Sequence, residues 1–176
     1  MELPSRQKSE ELFEKFIESP SLQHHCKMVA TAMEAYAKKF NRNEELWYQT
    51  GLLHDLDYEK FPEAHPIKAA NELLKEYPEE LKQAVLAHGP EITGVEPQTE
   101  MERYLFACDE LCGFLHAYAL MRPNGMAGMK AAKVLKKLSD HHFAAKIKRS
   151  DIQKGFDLIE EEPVEHIRFL ILTFTK

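Results

Sequence analysis

The stretch Gly51-Leu52-Leu53-His54-Asp55-Leu56-Asp57-Tyr58-Glu59 constrains the fold more than any other part of the chain. An apolar run that reads as the inside of a helix ends on an adjacent imidazole and carboxylate. Burying that pair is costly unless each member is paired or bound to a metal. The chain must either deliver the pair to solvent at a helix end or gather partners around it. A His-Asp dipeptide alone does not decide between these outcomes. Other potential ligands elsewhere in the chain do.

Around that stretch the pattern is helical nearly throughout. The spacing predicts a first helix from near Ser5 to about Glu18, with Leu12, Phe13, Phe16 and Ile17 inward. Ser19-Pro20 is a cap followed by proline at the first helical position, opening a helix to about Phe40. Asn43 before Glu44 and Glu45 starts a third helix, which ends on His54 and Asp55. After a loop through Phe61-Pro62, a helix is predicted from about Pro66 to Glu76. Another, opened by Pro78, ends at His88-Gly89-Pro90. Gly89 to Pro97 reads as a loop. Thr99-x-x-Glu102 is a capping box for a long helix that Arg122-Pro123-Asn124-Gly125 breaks. Shorter helices are predicted around 128–138 and 150–161, the second opened by the capping box Ser150-x-x-Gln153. The segment from Pro163 is rich in isoleucine, phenylalanine and threonine, yet a single strand would have no partner, so helix is expected. The fold class is therefore all-α, a single compact multi-helix bundle over residues 1–176.

Length and composition agree with this. A chain of 176 residues suits one domain with a real hydrophobic core. Hydrophobic content of 44% and charged content of 30% describe a soluble globular protein. No apolar run approaches the roughly 20 residues that span a bilayer, so no membrane partner is expected. The charged, amphipathic N-terminus lacks the apolar centre of a signal peptide, and a cytoplasmic location follows by default. The formal charge of −6 argues against long nucleic acid. Lys130, Lys133, Lys136 and Lys137 read as a solvated helix face. Cys26, Cys108 and Cys112 make neither a disulfide framework nor a zinc site, and read as small buried residues.

Several histidines and acids stand where solvated residues are not expected. His25 precedes Val29 by four positions and shares its side of the helix. His88 ends the apolar stretch Ala84-Val85-Leu86-Ala87, Asp109 lies in mid-helix after Tyr104-Leu105-Phe106-Ala107-Cys108, and His65 stands at the mouth of a helix. Histidine and aspartate are the usual imidazole and hard-oxygen ligands of a divalent metal, and converging helices can present them together. His24 is read as a neighbour facing elsewhere, and His116, His141, His142 and His166 as surface or capping residues.

The order His25, His54-Asp55, Asp109 resembles the H…HD…D signature of the HD-domain superfamily of metal-dependent phosphohydrolases, over about residues 20–122. His65, in Ala64-His65-Pro66, and His88 are similar to the extra histidines of the subgroup with two metals. Asp109-Glu110-Leu111-x-Gly113-Phe114, followed by Ala119-Leu120-Met121-Arg122-Pro123, resembles small uncharacterised bacterial HD hydrolases. One departure stands out. Many relatives read His-Asp-Ile-Gly-Lys, whereas this chain reads His54-Asp55-Leu56-Asp57-Tyr58, without the glycine or the phosphate-binding lysine. That weakens assignment to the cyclic-dinucleotide branch.

The resemblance implies that His25, His54, Asp55 and Asp109 hold a first metal, and that Asp55 bridges to a second held by His65 and His88. With one metal only, those two histidines would contact phosphate or protonate the leaving group, so Asp55, His65 and His88 are the expected catalytic residues. Arg122 or Lys68 is expected to meet substrate phosphate, and the loop Gly89–Gln98 to shape the pocket wall. The cofactor implied is one or two divalent ions per chain, of Mn, Fe, Co, Ni, Zn or Mg. The function implied is hydrolysis of a phosphate ester or anhydride of a small molecule, a nucleotide first among candidates, by metal-activated hydroxide. A di-iron oxygenase of the same fold and a non-catalytic metal- or nucleotide-sensing domain are the alternatives. Substrate, metal and oligomeric state stay open.

Overall fold

Two glycines set where the principal helices cross. A computed structural model describes residues 2–175, and within them the chain forms α1 (Arg6–Phe16), α2 (Pro20–Phe40), α3 (Glu44–Leu53), α4 (Glu79–Ala87), α5 (Pro90–Thr93), α6 (Glu100–Leu120), α7 (Ala131–Leu138), α8 (Arg149–Ile159) and α9 (Pro163–Phe174). No strand occurs among the described residues. At Gly51 on α3, a Cβ would lie 2.8 Å from the Ala30 Cα and N on α2. At Gly155 on α8, it would lie 2.8 Å from the Ala107 Cα on α6. Both pairs of helices pack backbone to backbone, and neither contact admits a side chain. Each also lies within a turn of a candidate ligand, His54 in one case and Asp109 in the other.

The helix ends follow local chemistry. Asn43 accepts the Leu46 N–H on its side-chain oxygen at 3.1 Å, and Thr99 and Glu102 form the reciprocal capping box. Ser150 does not cap. The helix starts earlier, after Lys148, and the Ser150 hydroxyl turns to the Asp151 carboxylate at 3.2 Å. The reason is Arg149, whose guanidinium donates to the carbonyls of Ala144 at 2.5 Å, Ile147 at 2.8 Å, Asp140 at 3.3 Å and Phe143. That one side chain gathers the whole 140–147 segment against the Phe114 ring on α6.

Two further expectations need correction. The segment from Pro66 to Glu76 is not an α-helix: a 3₁₀ turn at Pro62–Ala64 precedes a π-helical turn at Ala69–Leu73. The Asp57 carboxylate accepts the Ala69 N–H at 2.7 Å, and Leu74 N–H reaches back to the Ala69 carbonyl at 3.0 Å, which widens the turn. The stretch read as a loop from Gly89 contains the short α5, closed by Gly94 at φ 72°.

Phe13, Met33, Tyr36, Leu52, Leu105, Phe114 and Ile171 belong to one buried apolar cluster that draws on every helix except α5. His166 is buried in its aromatic part, contrary to its expected surface role. The Tyr36 hydroxyl donates to His166 Nδ1 at 2.5 Å, and His166 Nε2–H donates to the Ala107 carbonyl at 3.3 Å. The helical spacing of α9 turns position 166 inward with Ile167 and Leu170. The three cysteines are buried, and Lys130, Lys133 and Lys136 are exposed. No helix among the described residues is long and apolar enough to cross a membrane.

Candidate metal centre

The six ligand candidates come from four helices and the turns after them. His25 projects from α2 and Asp109 from α6, His54 and Asp55 follow the last turn of α3, His88 caps α4, and His65 precedes the π-helical turn. Their donor atoms form two adjoining groups, His25 with His54 and Asp109, and Asp55 with His65 and His88.

Asp55 joins the two. Its Oδ2 lies 3.4 Å from His54 Nε2 and 3.8 Å from His25 Nε2. Its Oδ1 lies 3.5 Å from His88 Nε2 and 3.6 Å from His65 Nε2. Asp109 Oδ1 lies 2.9 Å from His25 Nε2 and 3.5 Å from His54 Nε2. Four imidazole nitrogens therefore converge on one carboxylate from its two sides.

The tautomers are set from behind. His54 Nδ1–H donates to the Gly51 carbonyl at 2.8 Å and His88 Nδ1–H to the Val85 carbonyl at 2.5 Å. His65 Nδ1–H donates to Asp57 Oδ1 at 2.8 Å. With Nδ1 occupied, each Nε2 turns a lone pair inward, which is the arrangement a metal ligand requires. His54 Nε2 is buried with no hydrogen-bond partner. A buried, unpartnered nitrogen facing two carboxylates fits a cation held between them, so the donor set matches a divalent ion.

Electrostatics agree. Burial alone would push Asp55 upward, yet His54 and His88 hold its carboxyl well below the usual carboxylate range. Burial also acts upward on Asp109, and His25 and His54 outweigh it to hold that group low. For His54, burial acts downward and the Asp55 and Asp109 carboxylates outweigh it, so the two carboxylates favour positive charge beside Nε2, a place that a metal ion can take instead of a proton. The centre is built to receive a cation.

The centre opens into a cavity of about 780 Å³, within the range of small-molecule sites. Its walls include Leu22, Tyr58, Phe106, Leu120 and Ile147. Arg122 and Lys68 do not line it. Arg122 is held by the carbonyls of its own turn, Gly125 and Ala127, and Lys68 is paired with Glu72 at 2.5 Å. The cations that do line it are Lys146, Lys148 and Lys154. Lys148 pairs with Glu91 at 2.8 Å and Lys154 with Glu96 at 2.7 Å.

Sequence reasoning missed other groups too. Asp57, fully buried, had a signal in its place two residues after Asp55 in an apolar run. Glu110 lines the cavity, and burial beside Asp109 pushes its carboxyl up to about 7. His116, read as an ordinary residue, also lines the cavity and packs its ring 4.2 Å from that of His24. Gly89, Pro90, Glu91 and Ile92 supply wall, as the Gly89–Gln98 loop was expected to.

An all-α fold with adjoining histidine and aspartate groups defines a candidate metal-binding protein. The sequence model of the HD domain matches residues 22–113, just over half of the chain, and this protein belongs to the HD domain family. Members are generally metal-dependent hydrolases and bind divalent metals. No curated protein and no solved structure matched the chain. The matched span contains all six ligand candidates and Asp57, and excludes the 140–154 segment that supplies the lysines.

Proposed function

We propose that this protein is a metal-dependent phosphohydrolase that cleaves a phosphate ester or anhydride of a small molecule, with a nucleotide as the first candidate. The observation that carries the reading is the convergence of four imidazole nitrogens on the Asp55 carboxylate, with His54 Nε2 buried and unpartnered. His25, His54, Asp55 and Asp109 would hold one ion and Asp55, His65 and His88 a second. Divalent ions held there supply polarisation of the phosphoryl oxygens and acidification of water.

The chain's own residues do the rest. The Gly51 and Val85 carbonyls and the Asp57 carboxylate fix three imidazoles with their lone pairs inward, so little reorganisation is needed on binding. Asp55, its two oxygens divided between the groups, fixes the spacing of the two ligand sets. The cavity beside them is large enough to take the organic part of a small-molecule substrate, and Leu22, Phe106, Leu120 and Ile147 give that part an apolar wall.

The test is phosphate release from a panel of nucleotides and simple organic phosphates, using protein purified without chelator and assayed for metal per chain. Metal-dependent release that Asp55→Ala abolishes is the expected result. Metal-loaded, folded protein that releases no phosphate while consuming O₂ would overturn the reading in favour of the oxygenase. Tight metal binding with neither reaction would leave a sensing role.

A further inference from the structure

Three glycines lie inside the long helices around the centre, and two of them are explained by packing. Gly51 and Gly155 each face backbone at 2.8 Å. Gly113, on α6 four residues after Asp109, is different. A Cβ there would meet nothing closer than Ile147 Cδ1 at 3.8 Å and His25 Nδ1 at 4.0 Å, which are ordinary contact distances. Its φ is helical, so no backbone conformation calls for glycine. Glycine inside a helix is less stable than alanine, so the fold would gain from a methyl group that its packing permits.

What a side chain at 113 would occupy is the cavity. Gly113 lines it, between the His25 ring on one side and Ile147 on the other. Four residues along an α-helix is a rise of roughly 6 Å, so position 113 stands one turn beyond the Asp109 carboxylate on about the same face of α6. The same face continues to Ala117, also small and also lining the cavity, with Leu22 and Phe106 as further apolar walls. Ile147 is held in place by the Arg149 clamp on its own carbonyl and those of Ala144 and Phe143. The backbone behind the Ile147 wall is thus tied down, and no side chain fills the space over the Gly113 Cα.

We propose that Gly113 is a specificity-determining residue whose missing side chain opens a slot between His25 and Ile147 for the ring carried next to the substrate's phosphate. The substrate class is a phosphate whose directly linked organic group is a ring with an apolar face. This deepens the phosphohydrolase reading and rests on it, since it takes the phosphate to sit at the ligand cluster.

The experiment compares the metal-loaded wild type with Gly113→Ala and Gly113→Val, using two probes that resist hydrolysis: methylphosphonate and phenylphosphonate. Calorimetry gives both affinities, and thermal unfolding and metal content are read on the same samples. Wild type is expected to bind phenylphosphonate more tightly than methylphosphonate. Gly113→Ala should keep its metal and unfold no lower than wild type. Gly113→Val should lose about tenfold in phenylphosphonate affinity while methylphosphonate stays within about twofold. Equal losses for both probes, or no loss for either, would overturn the slot. So would a lowered melting temperature in Gly113→Ala, because the glycine would then serve packing. If neither probe binds metal-loaded wild type, the phosphohydrolase reading falls and the slot with it.

Discussion

The buried carboxylate of Asp57 holds His65 by its Nδ1 at 2.8 Å with one oxygen and the Ala69 N–H at 2.7 Å with the other. One side chain thus orients a candidate ligand and ties down the π-helical turn that follows it. Carboxylates in this position raise the basicity of the imidazole and fix its tautomer, and their loss costs about 10–100-fold in metal affinity. Asp57→Asn keeps the shape and removes the charge. It is expected to weaken one metal per chain by at least about tenfold in a chelator competition, with the helical circular dichroism unchanged. Wild-type retention of both ions would show that His65 needs no such support.

Asp55 and His88 should differ in kind. Because Asp55 faces nitrogens of both groups, Asp55→Ala is expected to lose all bound metal and all turnover while the helical content stays. His88 contacts only one side of Asp55, so His88→Ala should lose one ion and keep the other. Plasma mass spectrometry on the two variants reads this directly. Equal stoichiometry in both would mean that the two groups do not act as separate sites.

The ligands and most helices were legible because each left a local mark. Asn43, Thr99 and Pro20 sit at helix starts by the chemistry of their own side chains. His25, His54-Asp55 and Asp109 interrupt apolar periodicity. What was not legible depends on tertiary contact. The π-helical turn exists because Asp57, twelve residues earlier, takes the Ala69 N–H. The first turn of α8 is set by the Arg149 clamp rather than by Ser150. Lys146 and Ile147 reach the cavity only because that clamp folds their segment over α6, and nothing in their neighbours' sequence announces it. Arg122 was a reasonable phosphate ligand by charge alone, yet two of its N–H groups hold the carbonyls of its own turn and it does not line the cavity.

The α2–α3 contact makes a prediction that links stability to the centre. Gly51→Ala forces a methyl against the backbone of Ala30, where no side chain can move aside. Overpacking of this kind typically costs about 1–3 kcal/mol, and backbone contact places this case toward the upper end. Since the Gly51 carbonyl also orients His54, metal affinity should fall with stability. Urea unfolding and metal titration on the variant check both. Full stability with full metal loading would mean that α2 and α3 separate without cost.

His166 gives the fold an acid-sensitive point away from the metal. Burial lowers its pKa from the ordinary 6.5 to about 4, the Ala107 carbonyl and Glu161 opposing and Lys39 adding to the fall. The Tyr36 hydroxyl donates to Nδ1, which therefore has to be unprotonated. The folded state thus binds a proton more weakly than the unfolded chain. Stability from this group is fully present above about 6.5 and is lost as pH falls from there toward about 4, by on the order of 3 kcal/mol in all. Urea unfolding of the metal-free protein in chelator, from pH 7.5 down to 4.5, measures the loss without titration of bound metal. His166→Gln has no proton to take up, so the difference between wild type and variant should shrink by about 1.4 kcal/mol for each pH unit below 6. Parallel pH profiles for the two proteins would show that the buried ring is as easily protonated in the folded state as in the unfolded one.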